Sequence, residues 1–76
     1  MTPHRAWLEF EPGEEAEAAT YISTLPADCR VYVEAKTELG WRLVYGDDRN
    51  HAAAGLHRVA ATRFRVRGVR FGDTIS

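Results

Sequence analysis

Three constellations in this chain carry residue types that do chemistry. Arg63, Arg65 and Arg67 recur at every second position, and Arg70 follows three residues later. A guanidinium presents a planar fork of donors that binds carboxylate or phosphate bidentately. On an extended strand the alternate spacing puts all three on one face. Asp47, Asp48 and His51 are close enough to gather around a divalent ion. The same residues also serve as a turn residue (Asp47) and a helix N-cap (Asp48), and this second reading is preferred because it needs no ion. Cys29 is the single thiol. As a nucleophile it needs a base and an electropositive pocket, yet its neighbour Arg30 points to the opposite face of a strand. It reads as a small buried hydrophobe.

The other titratable groups are weaker candidates. His51 and His57 are six residues apart, which a helix does not place on one face. Glu14, Glu15 and Glu17 suit the start of a helix, where the dipole favours negative charge, better than an acid–base pair. There is no HExxH, P-loop, GxSxG or paired-cysteine motif. The sequence therefore predicts no catalytic residue, no metal ligand and no cofactor.

Composition bounds what can hold these residues. Seventy-six residues, 45% apolar and 28% charged, make one ordered domain over 1–76. One cysteine excludes an internal disulfide. No apolar run approaches the roughly 20 residues of a membrane span. The first residues lack the apolar core of an export signal, so a cytoplasmic location is expected. A chain this short has a thin core, which rarely supplies more than about 3–5 kcal/mol of net stability, so a bound partner or self-association is a natural aid. Charge is split along the chain. Residues 1–40 hold three basic against eight acidic side chains, net −5, and residues 41–76 hold seven arginines against three aspartates, net +4. Nine of the ten basic residues are Arg and eleven residues are Ala, a bias that codon usage explains without explaining why Arg63, Arg65 and Arg67 cluster.

The elements that must position these groups follow from periodicity. Residues 5–11 alternate Ala6, Leu8 and Phe10 with Trp7, Glu9 and Glu11, which predicts a strand ended by Pro12-Gly13. Residues 14–25 predict a helix with Ala18, Ala19, Ile22 and Leu25 on one face, stopped by Pro26. Residues 29–37 predict a second strand. Glu38-Leu39-Gly40 predicts a three-residue hairpin loop that pairs Thr37 with Trp41, Ala35 with Leu43 and Val33 with Tyr45. Asp48 caps a second helix over about 49–61, weakened by Gly55 at about 1 kcal/mol relative to Ala. Residues 62–71 predict a last strand, in which a bulge at Gly68 moves Arg70 to the side of the other arginines. Residues 72–76 read as a loose tail.

Strand, helix, strand, strand, helix, strand is the ferredoxin-like βαββαβ arrangement of an α+β protein: a four-stranded antiparallel sheet with two helices on one face. The alternative is one helix on a four- or five-stranded sheet, with 55–71 as a hairpin. In the first case the helices cover Ala6, Leu8, Phe10, Val31, Val33, Ala35, Trp41, Leu43, Tyr45, Phe64 and Val66. The open face then shows Trp7, Glu9, Glu11, Tyr32, Glu34, Lys36, Arg42, Val44, Arg63, Arg65 and Arg67. With the last strand beside the first, the arginine row stands next to Glu9 and Glu11, where cross-strand ion pairs are worth roughly 0.2–1 kcal/mol each. A sheet with aromatics and arginines is similar to an RNA recognition motif, which stacks bases on sheet aromatics. Trp41-Arg42-Leu43-Val44-Tyr45-Gly46 does not match the third-strand signature of that family, and Glu9, Glu11 and Glu34 repel phosphate.

Trp, Tyr and Arg are the types that dominate protein interfaces. The sequence therefore points first to a small non-enzymatic protein-binding module, such as a regulatory subunit, adaptor or inhibitor. Its candidate binding residues are Trp7, Tyr32, Arg42, Arg63, Arg65, Arg67 and Arg70. Self-association through the sheet or an edge strand is equally consistent. A nucleic-acid-binding domain resting on the arginine row is the second expectation, and a small oligomeric enzyme the third.

Overall fold

Local chemistry sets where each element begins and ends. The computed structural model describes residues 7–70. The expectations placed on Ala6, Phe71 and the tail lie outside the described residues. β1 is short, Leu8–Phe10. It gives way to Pro12 and to Gly13, whose φ of 90° is a left-handed conformation that only glycine adopts at no cost. The amide of Gly13 donates to the carbonyl of Ala60 at 2.8 Å, which ties this turn to the C-terminal end of the helix Ala52–Val59. α1, Glu15–Ser23, starts on Glu15 and Glu17 and buries Ala18 and Ile22. Its C-terminal carbonyls lack a basic residue in the last turn, and Arg49 supplies one from a distance by donating to the carbonyls of Ser23 (3.4 Å) and Leu25 (2.9 Å).

β2, Cys29–Thr37, and β3, Gly40–Asp48, form the expected hairpin. Asp48 then acts as the expected cap. Its carboxylate accepts from the amides of Asn50 and His51 and opens a single 3-10 turn, Arg49–His51, that leads into α2, Ala52–Val59. That helix rules out the one-helix alternative. β4, Phe64–Arg70, is the last of the described elements.

The architecture is α+β, with four antiparallel strands in one sheet and two helices. The expected neighbours β1–β4 and β2–β3 are present. The strand order, β1-β4-β2-β3, is not strictly ferredoxin-like. β1 and β2 run parallel with β4 between them, and β3 and β4 run parallel with β2 between them. Two split βαβ units are thus interleaved, as expected, but β4 rather than β1 occupies the interior of the sheet. Burial explains the choice. An interior strand has a neighbour on each edge, which suits the seven residues of β4, where Phe64 and Val66 are fully buried on the helix side; the three of β1 include Leu8, 43% exposed, and suit an edge.

One core joins both helices to one face of the sheet: Ala18 and Ile22 from α1, Leu56 and Val59 from α2, and Val31, Val33, Phe64 and Val66 from the strands. Phe10 stacks on Phe64 at 5.3 Å between ring centroids. Gly55 earns its place in α2 here. A Cβ at that position would lie 2.6 Å from Cβ of Tyr45, so the glycine lets the helix sit directly on β3.

Candidate functional site: the open sheet face

Side chains alternate across a strand, so burial of Val31, Val33, Phe64 and Val66 under the helices sends Tyr32, Glu34, Arg65 and Arg67 to the opposite face. Register brings them together: Tyr32 lies across from Arg67, Glu34 from Arg65, and Glu9 from Arg65 on the other side. Among the described residues no helix covers this face.

The centre of the face is a ladder of alternating cations and rings. The Arg65 guanidinium lies between two indoles, 4.3 Å from the centroid of Trp7 and 4.4 Å from that of Trp41. Its Nε and Nη2 both donate to Oε1 of Glu34, at 2.8 and 2.6 Å. Arg67 continues the ladder, 4.8 Å from Trp7 and 5.9 Å from Tyr32, and Lys36 ends it 5.6 Å from Trp41. Such contacts are worth about 0.5–1 kcal/mol when exposed and about 2 when dry. The Arg65–Glu34 pair belongs nearer the dry end, with side chains only 22% and 18% exposed.

The sequence-predicted residues divide into three groups. Trp7, Tyr32, Arg65 and Arg67 stand together as expected. Arg63 is in the row but committed, 3.2 Å from Glu9 and 3.4 Å from Glu11, the cross-strand pairing anticipated for it. Arg42 and Arg70 are elsewhere. β4 pairs with β2 without a bulge at Gly68, so Arg70 stays in phase with Gly68, across from Cys29 on the helix side, with Nε 3.7 Å from Asp28. Gly68 instead admits Leu25, whose Cδ1 would lie 2.8 Å from a Cβ there.

Arg42 is misplaced for a different reason. Thr37 pairs with Gly40 rather than Trp41, with Gly40 at φ 117° and the Thr37 hydroxyl donating to its carbonyl at 2.8 Å. That slip of one residue turns the start of β3 over. Trp41 now faces Lys36 and Leu43 faces Glu34, both on the open side, while Arg42 faces Ala35 on the helix side. An irregularity at Val33/Glu34 absorbs the extra residue, restores the expected pairing of Val33 with Tyr45 and lets Val44 pack against the core. Trp41 is therefore the site residue that the sequence reading placed under the helices. The available signal was the unbroken apolar run Leu43-Val44-Tyr45, where strict alternation fails.

The remaining chemical candidates are occupied by structure. Asp48 caps the 3-10 turn and contacts Nδ1 of His51 at 3.0 Å. That hydrogen bond holds its carboxyl below the usual range. Among the described residues no three His, Cys, Asp or Glu side chains gather as a metal site. Cys29 is buried. A groove of about 250 Å³ between α1 and α2 is lined by Ile22, Ala52 and Leu56, and its cation, Arg49, is spent on the α1 carbonyls. No described helix is long and apolar enough to cross a membrane. Comparison with family models, with curated proteins and with solved structures gives no match, so the functional reading rests on the geometry of this face.

Proposed function

We propose that this chain is a small non-enzymatic protein-binding module of the cytoplasm, a regulatory subunit, adaptor or inhibitor, whose contact surface is the open face of the sheet. One observation carries the reading: two tryptophans, a tyrosine and two arginines converge on a face that no described helix covers, preorganised by stacking. These are the residue types that anchor interfaces, and rigid stacked side chains lose little entropy when a partner settles on them. The signs of charge are mixed, with Glu9, Glu11 and Glu34 among the cations. This pattern suits register against a protein surface better than a phosphate backbone.

The test is affinity capture from host extract with three baits: wild type, a face variant (Tyr32→Ser with Arg67→Glu) and a helix-side variant (His57→Ser with Arg58→Glu). Each is first checked for its fold by circular dichroism. The expected result is a captured protein that is lost with the face variant, kept with the helix-side variant and indifferent to nuclease. Equal capture by all three baits refutes the face. Loss of the captured protein on nuclease treatment turns the reading to nucleic acid.

A further inference from the structure

We infer that Arg67 is the docking point for a carboxylate on an acidic peptide segment of the partner, received between the rings of Trp7 and Tyr32. This rests on the reading of the open face as a protein-binding surface. Four described arginines are held by oxygen acceptors. Arg63 has Glu9 and Glu11, Arg65 has Glu34, Arg70 has Asp28, and Arg49 has two backbone carbonyls. Arg67 has rings alone: among the described residues its side chain makes no hydrogen bond or ion pair, and its Nε is buried without an acceptor. A buried donor without an acceptor is rare enough in folded proteins to call for an explanation.

The geometry says which ligand supplies the acceptor. With Nε enclosed, the two terminal nitrogens remain as parallel donors that are neither bonded nor buried. Two parallel N–H groups match the two oxygens of a carboxylate end-on. The rings of Trp7 and Tyr32 flank the guanidinium at 4.8 and 5.9 Å, and apolar neighbours strengthen a charge-assisted bond formed beside them. Charge then sets how many anions fit. Among the described residues of the ladder, four cations (Lys36, Arg63, Arg65 and Arg67) stand with three carboxylates (Glu9, Glu11 and Glu34), and Arg67 is ion-paired to none of the three. A polyphosphate backbone would meet these three carboxylates along with the Arg67 guanidinium. A peptide with one Asp or Glu among uncharged residues meets one donor pair for its one anion.

The probe is the capped pentapeptide acetyl-Ala-Ala-Glu-Ala-Ala-amide, titrated into the isotope-labelled full chain and followed at the arginine Nε–H and tryptophan indole N–H signals. Its Gln counterpart, inorganic phosphate and a short oligothymidylate are run at the same ionic strength. The Glu peptide is expected to shift Arg67 and Trp7 saturably, to leave Arg65 in place, and to bind about tenfold tighter than the Gln peptide. Arg67→Gln loses this preference, and Arg67→Lys, which keeps the charge without the fork, retains only part of it. Equal binding of the Glu and Gln peptides, no saturable shift at Arg67, or tighter binding of phosphate or oligothymidylate overturns the proposal. The two readings fail separately. If Arg67→Gln captures the partner as well as wild type while Tyr32→Ser does not, the carboxylate site falls and the face stands. If neither substitution changes capture, the face falls.

Discussion

Arg65 and Arg67 are neighbours on one strand and one face, yet their removal should differ several-fold in its effect on stability. Arg65→Ala deletes two charge-assisted hydrogen bonds to Glu34 and two ring contacts at 4.3 and 4.4 Å. Hydrogen bonds to charged groups are worth about 1.5–3 kcal/mol, and each ring contact adds about 0.5–1. The substitution also strands Glu34, whose side chain is 18% exposed, without its counter-ion. Allowing for residual solvent access, the loss is about 2–4 kcal/mol, most of the roughly 3–5 expected for a chain of this length. Arg67→Ala deletes looser ring contacts, at 4.8 and 5.9 Å, and relieves an unbonded buried Nε. Gain and loss nearly offset, leaving about 1 kcal/mol or less. Urea unfolding followed by tryptophan fluorescence reads both, because Trp7 and Trp41 lie on this face. The wild-type transition should nearly vanish in Arg65→Ala and move little in Arg67→Ala. A Glu34→Gln, Arg65→Met cycle should recover part of the single-mutant losses. Equal midpoints for Arg65→Ala and Arg67→Ala refute the division of labour between the two arginines.

Three further outcomes follow from the packing and the cap. Gly55→Ala gains about 1 kcal/mol of helix propensity but forces α2 off Tyr45, whose Cβ would lie 2.6 Å away. Overpacking of about 1–3 kcal/mol wins, so melting falls, whereas Ala54→Gly on the exposed side loses only about 1. A rise in melting temperature for Gly55→Ala contradicts the close approach. Gly68→Ala pushes on Leu25, with contacts at 2.8 and 3.0 Å, and should be destabilising by about 1–3 kcal/mol unless Leu25 is also shortened to Ala, which relieves the clash; a neutral single variant counts against the packing described. Asp48 has its carboxyl pKa lowered by the His51 hydrogen bond, so its contribution is present above the unfolded carboxylate range, near pH 4, and is lost as pH falls through the lower folded value. Asp48→Asn keeps the cap acceptor without a titrating charge, so it should flatten the acid limb of a melting-temperature profile between pH 2 and 5; an unchanged limb rejects the linkage.

Much of the architecture was legible because it rests on local signals. Alternation in β2, the Asp48 cap and the Pro26 stop each act over a few residues, and each landed where expected. What the sequence did not show was decided by competition between distant segments. The strand order depended on which strand could fill a position with a neighbour on each edge, and β4 displaced β1 through its seven residues and the buried Phe64 and Val66. The first half of β3 depended on a slip of one residue at Thr37 and Gly40, which outweighed the apolar pattern of Trp41 and Leu43. That slip left Leu43 54% exposed and Trp41 free to complete the sandwich on Arg65. Arg70 failed for a similar reason: Gly68 was read as a bulge when its role is to admit Leu25.

The central claim is that Trp7, Arg65 and Trp41 form one stack on the side of the sheet away from the helices. Nuclear Overhauser contacts from the Arg65 side chain test it most directly. Contacts are expected from the Arg65 δ-methylene and Nε–H to both indole rings, with the methylene protons shifted upfield by the ring currents, and none to the side chains of Ile22 or Leu56. Contacts to only one indole, or to those helix residues, would contradict it.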